Sequence, residues 1–107
     1  MFERQIPDLI NIIRKIQNNF GIYHRIVNCI EELSELQKCL TKNLRLMILL
    51  QDGKCNYTID QCNELRKNTV KEIADVYLTI EEIKYIYNIS DNEIIEEMKI
   101  KISRGVK

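Results

Sequence analysis

The sequence predicts an all-α fold of about four helices arranged as a four-helix-type bundle, and three observations carry that expectation. Strand patterning is almost absent. Only three glycines and one proline interrupt 107 residues. Apolar residues recur three or four positions apart over long stretches, which is the period of one helix face. A chain of this length makes one domain, residues 1–107, and its 45% apolar share suffices for a core of limited size.

The first helix is marked by Phe2, Ile6, Leu9, Ile13, Ile16 and Phe20 at helical spacing. Pro7 suits a first turn, so the ordered helix is expected to begin near it. Asn18-Asn19-Phe20-Gly21 reads as a stop, with glycine just past the end. The second helix is expected from about Tyr23 to about Leu49, with an apolar stripe of Ile26, Ile30, Leu33, Leu40, Leu44 and Met47. The run Leu46 to Leu50 is apolar all round and predicts burial at a helix end or a subunit contact. Gln51 to Thr58, containing Asp52-Gly53-Lys54, is the clearest loop. A third helix is expected from Thr58 or Ile59 to about Tyr87, with a break near Asn68-Thr69. Its apolar residues occupy nearly the whole circumference, which predicts a largely buried helix crossed by one polar stripe. Ser90 and Glu93 make a capping box for a last helix, from about Asp91 to Ser103.

Composition excludes several function classes. Sixteen basic residues balance sixteen acidic ones, so no global field draws the chain to nucleic acid or to anionic membrane. The four cysteines, Cys29, Cys39, Cys55 and Cys62, form no Cys-x-x-Cys pair, and His24 is the sole histidine. A zinc finger is therefore not expected, and the cysteines read as small core residues with reduced thiols. With no signal peptide or membrane span in view, the cytosol is the expected compartment.

Two acidic clusters carry the chemistry: Glu31-Glu32-Leu33-Ser34-Glu35 and Glu72-Ile73-Ala74-Asp75. Each places carboxylates three or four positions apart on one side of its helix. Facing rows of carboxylates repel unless a cation joins them. An acid stripe on an enclosed helix has the same need, because an unpaired buried carboxylate is costly. No Glu-x-x-His occurs, so the di-iron bundle pattern fails. An all-oxygen ligand set suits magnesium, with manganese as the second choice, and magnesium commonly carries phosphate. The contrasting expectation is a solvated face, with Lys38 and Lys42 as intrahelical partners.

At these residues the sequence resembles the MazG-like nucleotide pyrophosphohydrolases, all-α enzymes marked by Glu-Glu-x-x-Glu on one helix and Glu-x-x-Asp on a later one. The similarity covers about Tyr23 to Arg104. It implies magnesium-dependent hydrolysis of a nucleoside triphosphate, often a deoxynucleotide, to the monophosphate and pyrophosphate. It also implies a homodimer or homotetramer, with helices of two chains completing the bundle and building one pocket. By position it names Glu32, Glu35, Glu72 and Asp75 as metal ligands. Glu31 is then either a further ligand or the group that orients the attacking water. Lys101 and Arg104 match a closing Lys-x-x-Arg element that would hold substrate phosphates. Lys42 is a further phosphate candidate, and His24 and Asn28 are candidates to touch ribose or base.

Two departures from the family stand out. Thirty-six residues separate Glu35 from Glu72, more than compact members carry. The chain also lacks tryptophan; Tyr23, Phe20 or Tyr57 would have to stack the base. The reading from another class is a non-catalytic helical interaction module with wet acidic faces.

Overall fold

The computed structural model describes residues 5, 6, 8–54 and 56–105, and of Phe20 the backbone alone. Pro7, Phe2, Cys55 and the Phe20 ring, which figure in the sequence reading, lie outside the described residues. Among the described residues four helices follow one another: α1 (Leu9–Phe20), α2 (Ile22–Gln51), α3 (Ile59–Tyr87) and α4 (Asp91–Gly105). The described residues contain no strand. Among the described residues no helix is long and apolar enough to cross a membrane.

The ends of the helices are set by local chemistry. Gly21 alone joins α1 to α2. Its φ of 76° is one that a side chain would strain, and its N–H closes α1 on the Gln17 carbonyl. At the end of α2, Gly53 sits at φ 70°. There Lys54 N–H donates to Leu49 O at 2.8 Å and Gly53 N–H to Leu50 O at 3.1 Å, a Schellman ending. The end of α3 repeats this with Asn88 at φ 52°, as Ile89 N–H reaches Lys84 O at 2.9 Å. Thr58 opens α3 with a capping box: Gln61 N–H donates to the Thr58 hydroxyl at 3.1 Å, and Thr58 N–H donates to Gln61 Oε1 at 2.8 Å. Ser90 and Glu93 do the same for α4, as expected.

The expected break at Asn68-Thr69 does not occur, and α3 runs through it. Thr69 is held on both sides: its hydroxyl donates to Leu65 O at 2.8 Å and accepts from Asn43 Nδ2 at 2.9 Å. A β-branched residue fixed this way continues the helix and also ties it to α2.

Antiparallel α2 and α3 form the body of the fold, and α1 touches both. Their shared seam is unusual in composition. On α2 the residues turned inward are Arg25, Cys29, Glu32, Leu36, Cys39, Asn43 and Leu46, all buried or half-buried. They repeat at alternating four and three, the spacing of a coiled-coil seam. On α3 the same spacing links Leu65, Thr69, Glu72, Val76, Thr79, Ile83 and Ile86, again buried or half-buried. Polar groups occupy about half of these positions, and some of them pair across the hairpin. Arg25 Nε donates to Glu82 Oε2 at 2.8 Å, and Cys39 Sγ lies 3.4 Å from Thr69 Oγ1.

This seam reverses the expectation for α2. Its apolar stripe is not the inward face: Ile30, Leu33, Leu40, Leu44 and Met47 are 48–64% exposed. Nor is α3 enclosed, since Ile73, Tyr77, Leu78, Ile80 and Tyr85 are 39–48% exposed. Cross-helix polar pairing selects the contacting faces, and α1 is too short to cover the rest. Among the described residues the buried apolar ones are Leu9, Ile13, Cys29, Leu46 and Val76. Of the cysteines expected in the core, Cys29 is buried, Cys39 is half-buried in the seam and Cys62 is exposed; all three are free thiols.

Helix α4 leaves the hairpin and packs along none of the other helices. Its first residue, Asp91, accepts from Lys84 Nζ, which also donates to both Glu81 oxygens at 3.0 and 3.1 Å. The radius of gyration is accordingly 17.6 Å, against about 13 Å for a compact domain of about 100 residues.

Candidate metal centre

Partway along the α2–α3 seam, between the Arg25–Glu82 pair and the Cys39–Thr69–Asn43 cluster, three carboxylates meet. Glu32 comes from α2, and Glu72 and Asp75 come from α3. One oxygen of each lies within 4.8 Å of the other two. Glu32 and Glu72 are half-buried and Asp75 is exposed. Oxygens that share one magnesium at about 2.1 Å stand at most about 4.2 Å apart, so small rotamer changes bring this set to ligand spacing. All donors are hard oxygens, the class magnesium and manganese prefer.

The electrostatics agree with the geometry. Burial pushes the Glu32 carboxyl above its ordinary range, and the Asp75 and Glu72 carboxylates push it further, with smaller effects from Glu35 and Glu31. Three acids thus crowd one point, and none has an ion-pair partner among the described residues. Elsewhere the same seam supplies a cation to its buried acid, as Arg25 does for Glu82.

Helical phase decides which motif acids enter the knot. At about 100° per residue, Glu32 falls about 15° from the middle of the α2 seam, Glu35 about 75° and Glu31 about 115° away. Glu31 and Glu35 are accordingly exposed. Glu35 Oε1 lies 3.4 Å from Lys38 Nζ, an exposed pair one turn along the same helix, and only its long-range charge reaches Glu32. Lys42 and His24 are exposed on α2, and Asn28 is half-buried there. Tyr23 and Tyr57 are 86% and 43% exposed. Lys101 and Arg104 are exposed on α4, the helix that does not pack on the hairpin.

The sequence reading missed the cross-helix partners that flank the knot, Arg25 for Glu82 and Asn43 for Thr69. Arg25, Asn43, Thr69 and Glu82 orient the two helices that carry the acids, yet none belongs to the acidic motifs. The signal was present in the alternating spacing of residues 25 to 46, which matches that of residues 65 to 86. Reading only apolar residues as core hides it.

Compared with models of protein families, with curated proteins and with solved structures, the chain matches none of the three.

Proposed function

We propose that the protein is a magnesium-dependent nucleoside triphosphate pyrophosphohydrolase of the MazG-like kind, acting on a deoxynucleotide. The observation that carries this reading is the meeting of Glu32, Glu72 and Asp75 from the two motif-bearing helices in one half-buried knot. Glu32, Glu72 and Asp75 would hold the cation, with Glu35 completing the set after leaving its exposed lysine partner. When bound, magnesium (or manganese) neutralises phosphate oxygens and makes water more acidic.

In the reaction, water attacks the phosphorus nearest the sugar and gives up a proton to solvent, and the bond from that phosphorus to the bridging oxygen breaks. Pyrophosphate leaves with the bridging electrons, and the monophosphate remains. Glu31, exposed beside the knot, orients the attacking water or serves as a further ligand. Lys101 and Arg104, with Lys42 as a weaker candidate, hold outgoing phosphates as point charges and forks. His24 and Asn28 contact ribose or base. The active form is a homodimer or homotetramer, and the cytosol is its expected compartment.

The test is incubation with a panel of deoxynucleoside triphosphates and magnesium, with monophosphate and pyrophosphate measured separately. Turnover abolished by Glu72→Gln and by Asp75→Asn supports the reading. Absence of turnover with every nucleotide, together with no magnesium-dependent rise in melting temperature, refutes it. That result would favour the alternative, a non-catalytic helical interaction module, which the exposed apolar faces of α2 and α3 also suit. Release of single phosphate would identify a different triphosphatase.

A further inference from the structure

One face of the α2–α3 hairpin changes sign along its length. On α2, Glu35, Lys42 and Lys38 stand about 75°, 95° and 135° from the middle of the seam, on the side where Glu31 lies. On α3, Asp75 and Lys71 stand about 70° and 110° from the middle of its seam, turned in the same sense. In an antiparallel pair one rotational sense leads to one face, so these five side chains share a face, and all are exposed. The meeting of Asp75 with Glu32 at the edge of the knot agrees with this. The register is set by Arg25 against Glu82 and by Cys39 against Thr69. It puts Lys71 level with Gln37, beside Lys38. On both helices the flank therefore passes from acid to base at one level, from Glu35 to Lys38 and from Asp75 to Lys71.

The basic part of the face is under-neutralised. Residues 36–71 hold seven basic side chains against three acidic ones, in a chain that is neutral overall. Lys42 and Lys71 have no ion-pair partner among the described residues, although Asp75 stands one helical turn from Lys71. Lys38 reaches Glu35 alone, at 3.4 Å. Cations placed just past a carboxylate knot match an anion that starts at the knot's metal and continues along the hairpin.

From this we infer that Lys71, with Lys38 and Lys42 across the hairpin, forms the subsite for the pyrophosphate end of a magnesium-bound oligophosphate. The phosphate chain runs from the knot toward the α2–α3 loop, and a nucleoside lies toward Arg25 and Glu82. The inference rests on the magnesium reading of the knot and deepens it, because Lys71 selects ligands with at least two linked phosphates. It also places the grip on the hairpin itself, whereas Lys101 and Arg104 ride on a helix that packs along none of the others. Metal and phosphate binding are coupled: turning Glu35 to the metal releases Lys38 from its 3.4 Å pair to the phosphates.

The experiment is calorimetric titration of the full chain, in magnesium, with inorganic pyrophosphate, tripolyphosphate and orthophosphate. Wild type should bind the two linked phosphates and take orthophosphate roughly tenfold more weakly. Lys71→Gln should weaken pyrophosphate binding by roughly tenfold. Lys42→Gln should weaken it by less, and Lys15→Gln, on α1, should leave it unchanged. Magnesium alone, followed by the rise in melting temperature, should bind Lys71→Gln at least as tightly as wild type, because a neighbouring cation has gone. If Lys71→Gln fails to fold, the double variant Lys38→Gln with Lys42→Gln carries the same test.

Full pyrophosphate affinity in Lys71→Gln, with magnesium still bound, overturns the inference and spares the metal centre. An equal loss in Lys15→Gln would show diffuse charge attraction and overturns it as well. No binding of magnesium overturns both readings. Lysine-dependent pyrophosphate binding without turnover of any nucleotide upholds the inference while the enzyme reading falls.

Discussion

Replacing Glu32 with glutamine should stabilise the metal-free protein. The change keeps shape and removes one of three carboxylates whose oxygens lie within 4.8 Å of one another. At that separation two unit charges repel by about 1 kcal/mol in water and by about 3 kcal/mol at an effective dielectric near 20. Glu32 faces two such neighbours. Asp75 is exposed, so the watery limit applies to that pair, and partial protonation of Glu32 relieves some of the rest. A net gain of about 1–2 kcal/mol follows, worth roughly 4–8 °C in melting temperature per kcal/mol for a domain of this size. The assay is thermal unfolding followed by circular dichroism in chelator, at one fixed protein concentration, because self-association shifts the midpoint. The pH dependence has a definite sign. Because burial, Asp75 and Glu72 raise the folded-state value of Glu32, the folded chain holds this proton more tightly than the unfolded one. The contribution of Glu32 to stability therefore falls as pH rises from the ordinary value of 4.5 through the raised value. The gap between variant and wild type is full above that window and closes below it. Magnesium should reverse the order, raising the wild-type midpoint and barely moving the variant. A glutamine variant that melts at or below wild type in chelator, at neutral pH, would refute the crowding argument.

Two further outcomes follow from the seam and the caps. Arg25→Ala leaves Glu82, 4% exposed, as a buried charge without its guanidinium. It should cost about 3 kcal/mol in chemical denaturation, with recovery when Glu82→Leu is added, and a loss under about 1 kcal/mol would show the pair to be dispensable. Ser90→Ala removes the α4 cap and should lower the melting temperature by a few degrees. The Ser90 N–H and hydroxyl hold the Glu93 carboxyl below its ordinary 4.5, so its stabilisation is present above that value and is lost as pH falls through the lowered one. The variant's stability should accordingly fall less steeply in acid, read from melts across a pH series.

The helices were legible because their ends carry strong local signals. Gly21, Asp52-Gly53 and the Ser90–Glu93 box each lie at an observed boundary. The facing of α2 was not legible. Periodicity of one helix ranks Leu33 and Leu40 above Cys39 and Asn43 as core, whereas contact is decided by complementarity with α3. Asn43 and Cys39 meet Thr69, and Arg25 meets Glu82, at sequence separations of 26 to 57 residues. The acidic knot was half legible for the same reason. Motif spacing groups Glu31, Glu32 and Glu35 together, and only the phase of the α2 seam facing α3 singles out Glu32.

A zipper of leucines can slide by seven residues and still find leucine. The α2–α3 seam has less freedom, because a slip of seven residues would take Cys39 and Asn43 off Thr69 and move Arg25 from Glu82 to Asp75 in one direction or to Ile89 in the other, where Glu82 would meet Glu32. Mismatched polar rungs therefore act as a ruler: cohesion is given up along the hairpin, and in return the distance between Glu32 and its two opposite acids is held to a single value.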